Sequence, residues 1–281
     1  MANHLSAERR VKLLELLCEG NSIRGTARIM DMEHRTVLRH LVIAGEKCRQ
    51  FLHNHLQEIA VDHVEIDEIW TFVACKQRRI APSERLNNPH IGDQYLYLSL
   101  DQRSKLICNY AIGKREQSTT DRFIEDLARR IVLPEHGGDR PQVSTDGFKC
   151  YPDAIANSFG HRVDYGTIVK KYADGSELTG RYAPPEVVDS DRKSAWGVEN
   201  LKTICTSHIE RFNLSLRTFM KRFTRLSLGF SKKLTNLKAA VALHVFHYNF
   251  CRIHSSIRCT PAMRAQLTDH IWKLDDLFGE A

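Results

Sequence analysis

An α/β fold is predicted, a mixed five-stranded sheet flanked by helices and preceded by an all-helical N-terminal domain. Three observations predict it. Apolar residues recur at helical spacing through the first sixty residues. From about Val61 the pattern changes to alternation. Beyond that point, alternating stretches and helical stretches succeed one another along the chain.

The N-terminal helices follow from their caps and their stripes. Ser6 opens a helix that turns Val11, Leu14, Leu17 and Cys18 inward, and Gly20 and Asn21 end it. Ser22 opens a short helix carrying Ile23, Ala27 and Ile29, and Asp31 and Met32 make the turn after it. A third helix starts near Glu33 and buries Val37, Leu38, Leu41 and Val42, which leaves Arg35, Thr36, Arg39 and His40 on its outer side. This is a helix-turn-helix pattern, in which early residues of the second motif helix reach base edges. An ordinary three-helix packing module is the plainer alternative.

The strands come next. In VEIDEIWTFV, residues Val64, Ile66, Trp70 and Phe72 share one face and Asp67 lies on the other. Residues 78–93 hold Pro82, Asn87, Asn88, Pro89 and Gly92 and read as a loop. Residues 95–100 and 106–112 alternate as a second and a third strand around a short hairpin loop. A helix from about Ser118 carries Phe123, Ile124, Leu127, Ala128 and Ile131, and the 134–140 stretch breaks it. Residues 142–145 form a fourth strand ending at Asp146, residues 151–159 a short helix, and residues 162–170 a fifth strand. The 172–205 stretch, with Gly175, Gly180, Pro184, Pro185 and Gly197, reads as an insertion of loops. A helix opening near Glu210 has the stripe Ile209, Phe212, Leu216, Phe219 and Phe223, and a last one over 232–251 carries Leu234, Leu237, Val241 and Val245. The division is 1–60 for the helical domain, 61–265 for the α/β domain with its insertion, and 266–281 for a C-terminal tail.

Charge narrows the function. The 281 residues carry a formal net charge of +7, and the pI is about 9.0, which favours a polyanionic partner. From Arg211 through Thr268 there is no Asp or Glu, while Arg211, Arg217, Lys221, Arg222 and Arg225 crowd its first fifteen residues. A solvated helical face is the plain reading of such a run, and a phosphate-binding surface is the sharper one. The eight cysteines are scattered without a Cys-x-x-Cys pair, so a zinc ribbon is not expected and reduced thiols of a cytoplasmic protein are. No signal peptide or membrane-length apolar run is visible.

Three acids carry the chemistry. Asp67 is mid-strand, Asp146 ends a strand before Gly147, and Glu210 is in the first turn of a helix. Each alone has a plain explanation: a surface strand acid, a turn residue, and an acid favoured by a helix dipole. Gathered by the fold, they make a carboxylate cluster inside a basic protein. Such a cluster suits hard divalent cations, and two of these drive in-line displacement at phosphate. Glu65 shares the face of Asp67 and is expected to support it, whereas Glu68 falls on the apolar side by alternation and is disfavoured as a ligand. His244 and His247 are expected in core or phosphate-contact roles. Trp70 is expected in the core, and Trp196 is the better candidate for stacking on bases.

The order of three antiparallel strands, helix, strand, helix, strand and helices resembles the ribonuclease H-like fold. The strings IDEIWTFVACK (66–76), STDGFKCY (144–151), IERFNLSLR (209–217), RLSLGFSK (225–232) and YNFCRIHSSIRCTPA (248–262) occur in that order. The chain thereby resembles the DDE transposases of bacterial insertion elements, nearest the insertion sequence one family. The resemblance implies that Asp67, Asp146 and Glu210 are catalytic and hold two magnesium ions, with manganese as a substitute. It places Arg217, seven residues after Glu210 on the same helix face, at DNA near the cleaved phosphate. Asn213 and Lys221 share that face, and with Arg222 they are further expected DNA contacts. Cleavage at transposon ends would free a 3′-hydroxyl that attacks target DNA. The implied partners are double-stranded DNA, as terminal inverted repeats and as target, and further copies of the chain in a homodimer or larger assembly on DNA. The implied location is cytoplasmic and nucleoid-associated, with no membrane. The chain departs from the family in lacking a Cys-rich zinc ribbon and in the length of 172–205. The alternatives are a different ribonuclease H-like nuclease and a non-catalytic, transposase-derived DNA-binding protein.

Overall fold

The computed structural model describes residues 5–135, 138–172, 187–224 and 227–279. Residues 173–186 of the expected insertion, and Arg225 and Leu226 at the start of RLSLGFSK, lie outside the described residues.

The first three helices are α1 (Ala7–Cys18), α2 (Ile23–Ile29) and α3 (His34–His55). The hydroxyls of Ser6 and Ser22 accept from the backbone N–H groups of Arg9 and Gly25, so both caps form where the sequence signals them. Gly20 ends α1 at a φ of +82°, a conformation that costs glycine little.

The sheet contains β1 (His63–Val73), β2 (Gly92–Asp101), β3 (Ile107–Gly113), β4 (Gln142–Thr145), β5 (Asp164–Tyr172) and β6 (Val187–Trp196), in the order β3-β2-β1-β4-β5-β6. β1 pairs antiparallel with β2 and parallel with β4, β4 pairs parallel with β5, and β5 pairs antiparallel with β6. Among the described residues the sheet thus has six strands where five are expected. The sixth lies in the stretch read as loops, because VVDSDRKSAW is polar on both faces and hides its alternation. It is an edge strand paired with β5, the position where charged side chains are tolerated and block further pairing. A short helix, α4 (Pro82–Asn87), likewise lies within the expected 78–93 loop.

The remaining helices are α5 (Gln117–Arg130), α6 (Tyr151–Phe159), α7 (Ser207–Phe219), α8 (Leu234–Phe246) and α9 (Pro261–Arg264). A π-helical turn, His247–Cys251, extends α8. In it, buried Asn249 accepts from the Ile107 N–H and donates to the Ile107 carbonyl, which fixes the edge strand β3 to the helix. Trp196 is half-buried: its Nε1 donates to the Val163 carbonyl and its ring packs on Tyr165.

One hydrophobic core runs from Leu13, Leu41 and Leu52 of the N-terminal helices to Val64, Phe123, Leu237 and Val241 of the α/β part. The join is the crossing of α3 on α8, where Gly45 lies against Ala239. A Cβ on Gly45 would come within 2.6 Å of the Ala239 carbonyl oxygen and overlap its backbone. Gly45→Ala is expected to destabilise the protein by about 1–3 kcal/mol through overpacking. Denaturant melts would measure it, and an unchanged midpoint would remove this crossing from the account. Beyond α9, Trp272 packs edge-on against Phe51 of α3, and Leu274 and Leu277 are buried.

Candidate active site

The topology brings two of the three expected acids together. β4 pairs with β1 only from His63 to Glu65. Past that point no named strand pairs on the β4 side of β1 among the described residues until Val73 bridges Ser231, and the chain leaving β4 places Asp146 beside the residues between. Side-chain oxygens of Asp67, Glu68 and Asp146 then lie within 4.8 Å of one another. Glu68 follows Asp67 on β1 and so lies on the opposite face by alternation, yet one of its side-chain oxygens also belongs to the cluster. Glu68, disfavoured as a ligand by alternation, thus stands beside the two expected acids.

Each carboxylate has distinct surroundings. Asp67 accepts from the Glu68 N–H at 2.8 Å and from Asn213 Nδ2 at 2.7 Å. Burial, and next the negative charge of Asp146, push its pKa up to about 7. Glu68 has a side chain only 2% exposed, and burial followed by the charge of Asp146 raises it also to about 7. The buried Tyr151 hydroxyl lies beside Glu68 without forming a well-aligned hydrogen bond. Asp146 is fixed by its own turn, accepting from the Phe148 N–H at 2.9 Å. Arg115, between β3 and α5, faces Glu68 at 3.6 Å and Asp146 at 3.7 Å, with its guanidinium 4.0 Å above the Phe148 ring. Nothing in the sequence singled Arg115 out.

Glu210 stands outside this group of three. Its Oε1 accepts from the Thr206 hydroxyl at 2.7 Å and from the Lys170 ammonium of β5. Its charge still contributes, in a minor way, to raising the pKa of Asp67. The helix that carries it is anchored by Glu65. That fully buried carboxylate accepts from the N–H groups of His208 and Ile209 at 2.9 and 3.0 Å, and its other oxygen lies 2.7 Å from His208 Nδ1. A carboxylate at a helix N-terminus satisfies free N–H groups and complements the dipole. Glu65 therefore supports the site by fixing α7 to β1.

The expected DNA contacts divide into two kinds. Arg217 lines the cleft with Asp67, Glu68, Asp146, Arg115 and Trp70, so Trp70 is a cleft wall and not core. Lys221 is exposed. Asn213, expected at DNA, is buried and holds Asp67. Arg222, also expected there, donates to the Ser231 hydroxyl, and burial lowers its pKa to about 10. On α3, Arg35 and Arg39 are exposed, whereas Thr36 and His40 are half-buried. Burial and then the charges of Arg39 and Arg10 lower the His40 pKa. His244 is buried, which lowers its pKa to about 3 and makes it a neutral core residue. Cys18, Cys48, Cys108 and Cys150 are buried, Cys75, Cys205, Cys251 and Cys259 are half-buried, and all eight are free thiols. Among the described residues no helix is long and apolar enough to cross a membrane.

No family model matches the chain, and no curated protein does. Among solved structures it is similar to the Mos1 transposase paired-end complex with left transposon end, at 13% identity and a TM-score of 0.21 over 56% of this chain and 58% of that one. It is also similar to the piggyBac transposase synaptic complex with hairpin DNA, at 12% identity and a TM-score of 0.39 over 97% of this chain and 69% of that one. The chain thus spans little more than half of the first of these proteins. At such scores the likenesses carry no argument, and the case for the site rests on its own geometry.

Proposed function

We propose that this protein is a DNA transposase of the DDE type, like those of the insertion sequence one family, acting on double-stranded DNA with Asp67, Asp146 and Glu210 as its catalytic acids. The observation that carries the reading is the meeting of Asp67 and Asp146 with buried Glu68 in a cleft that Arg115 and Arg217 line. Three carboxylates held together, one with a buried side chain, are costly unless a cation compensates them. The oxygen-only donor set fits a hard divalent ion such as magnesium. When bound, divalent ions supply charge neutralisation and Lewis acidity at an attacked phosphodiester.

The chain's own residues do the rest. Asn213 and the Glu68 N–H orient the Asp67 carboxylate, and the Asp146 turn fixes its partner. Arg217 and Arg115 bring positive charge to the cleft wall, where a phosphate backbone would lie. Glu65 sets the position of α7 and with it Glu210. Arg35, Thr36, Arg39 and His40 of the helix-turn-helix read the terminal repeats, with phosphate contacts positioning and base contacts specifying. Two ends must be joined, so the working form is a homodimer or larger assembly on DNA.

The test is strand transfer with purified protein, magnesium and a duplex carrying the native element's end. Metal-dependent joined products are the expected result. Cleavage without joining would replace the reading by a nuclease, and binding without cleavage by a non-catalytic DNA-binding protein.

A further inference from the structure

We propose that Glu68 is a further cation ligand, and that Asp67, Glu68 and Asp146 take up a hard divalent cation before nucleic acid arrives, while Lys170 holds Glu210 away. The proposal rests on the metal-dependent reading above.

Glu68 is poorly explained as a structural acid. Its side chain is 2% exposed, and its nearest cation, Arg115, lies at 3.6 Å, beyond a good charge-assisted hydrogen bond. Its Oε1 forms no well-aligned hydrogen bond among the described residues; the buried Tyr151 hydroxyl beside it is a neutral donor that leaves the charge uncompensated. Buried carboxylates are ordinarily paired and hydrogen-bonded, so this oxygen is open to a cation from outside the chain. Asn213, 4% exposed, holds Asp67 through its Nδ2 and so fixes the carboxylate beside Glu68. Carboxylate oxygens are the donors that hard cations take, directly or through bound water.

The charges facing the cluster set the order of events. Arg115 faces Glu68 and Asp146 loosely, at 3.6 and 3.7 Å, and a divalent cation competes with it for the same oxygens. Glu210 is engaged by Thr206 and Lys170, so three carboxylates are ready without it. A phosphate entering the cleft is a strong acceptor for Lys170. Its arrival loosens the Lys170–Glu210 pair and lets Glu210 turn to the site. Glu210 thereby joins only with substrate in place.

The experiment is manganese binding to the full chain, read by electron paramagnetic resonance, with and without a DNA duplex. Without DNA, Glu68→Gln is expected to weaken binding about tenfold or more, and Glu210→Gln by less than about twofold. With DNA, both variants are expected to weaken it. Lys170→Met is expected to make Glu210→Gln costly even without DNA, and Arg115→Gln to tighten binding by removing a competitor. Thermal melts check that each variant folds. Should Glu68→Gln fail to fold, Glu68→Asp, which retracts the carboxylate, is expected to weaken binding in its place. The proposal is overturned if Glu68→Gln binds like the parent while Asp67→Asn does not, a result that leaves the transposase reading intact. It is likewise overturned if Glu210→Gln is as damaging as Asp67→Asn in the absence of DNA. If the parent binds no manganese with or without DNA, the metal-dependent function falls as well.

Discussion

Asp67→Asn should melt at a higher temperature than the parent when both are metal-free, and should perform no strand transfer. Both effects come from one carboxylate. In the fold its pKa is raised from 3.8 to about 7, so the folded state holds a proton that the unfolded state has released. Its contribution to stability is therefore full below about pH 4 and lost as pH rises through about 7. Glu68, raised from 4.5 to about 7, titrates with it as a coupled group. Asparagine removes the charge and keeps the shape. Its carbonyl still accepts from the Glu68 N–H, and rotation of the Asn213 amide offers the partnerless Oδ1 to the new NH₂. We expect a gain of roughly 1–3 kcal/mol near pH 8, fading towards pH 4. Strand transfer should fall by roughly a thousandfold or more, about 4 kcal/mol of lost barrier lowering. Calorimetry across that pH range, beside the strand-transfer assay, checks both. A variant less stable than the parent at pH 8 would show that Asp67 is a structural acid.

Glu65→Ala is the second large effect, and it falls on stability first. The substitution leaves the His208 and Ile209 N–H groups without an acceptor in a buried position and removes the His208 ring contact. We expect about 2–4 kcal/mol of destabilisation, with activity falling further because Glu210 and Asn213 ride on the freed helix. Glu65→Gln keeps one acceptor oxygen and should lose about half as much. His208→Ala leaves both backbone contacts and should be milder still. A urea midpoint for Glu65→Ala equal to that of the parent would show that α7 is held by its apolar face alone.

The acids that the sequence exposes are those with a local signature. Asp67 interrupts an apolar strand, Asp146 stands before a glycine, and Glu210 opens a striped helix. Alternation also put Glu65 correctly on the Asp67 face. What stayed hidden depends on pairing between distant segments. The entry of Glu68 into the cluster follows from the short register of β4 on β1, which no pattern within either strand encodes. Lys170 meets Glu210 across forty residues of sequence, and Arg115 reaches two acids from a connecting loop. β6 escaped because an edge strand with charged residues on both sides carries no hydrophobic alternation. Where Asn213 and Arg222 find hydrogen-bond partners was hidden too, because polarity alone does not tell which group bonds inside the protein.

The Gly45–Ala239 crossing reaches beyond stability. Helices hung on a slack tether can grasp a recognition sequence at many separations from the point of cutting, so such enzymes tolerate insertions between the two. Here α3 is clamped to α8 with no room for a methyl group between them, and the first three helices share the core that carries the carboxylates. Under the proposed function this makes the protein a caliper. The interval between the bases it reads and the bond it breaks is then held fixed by this crossing, and the element's ends must be spaced to match.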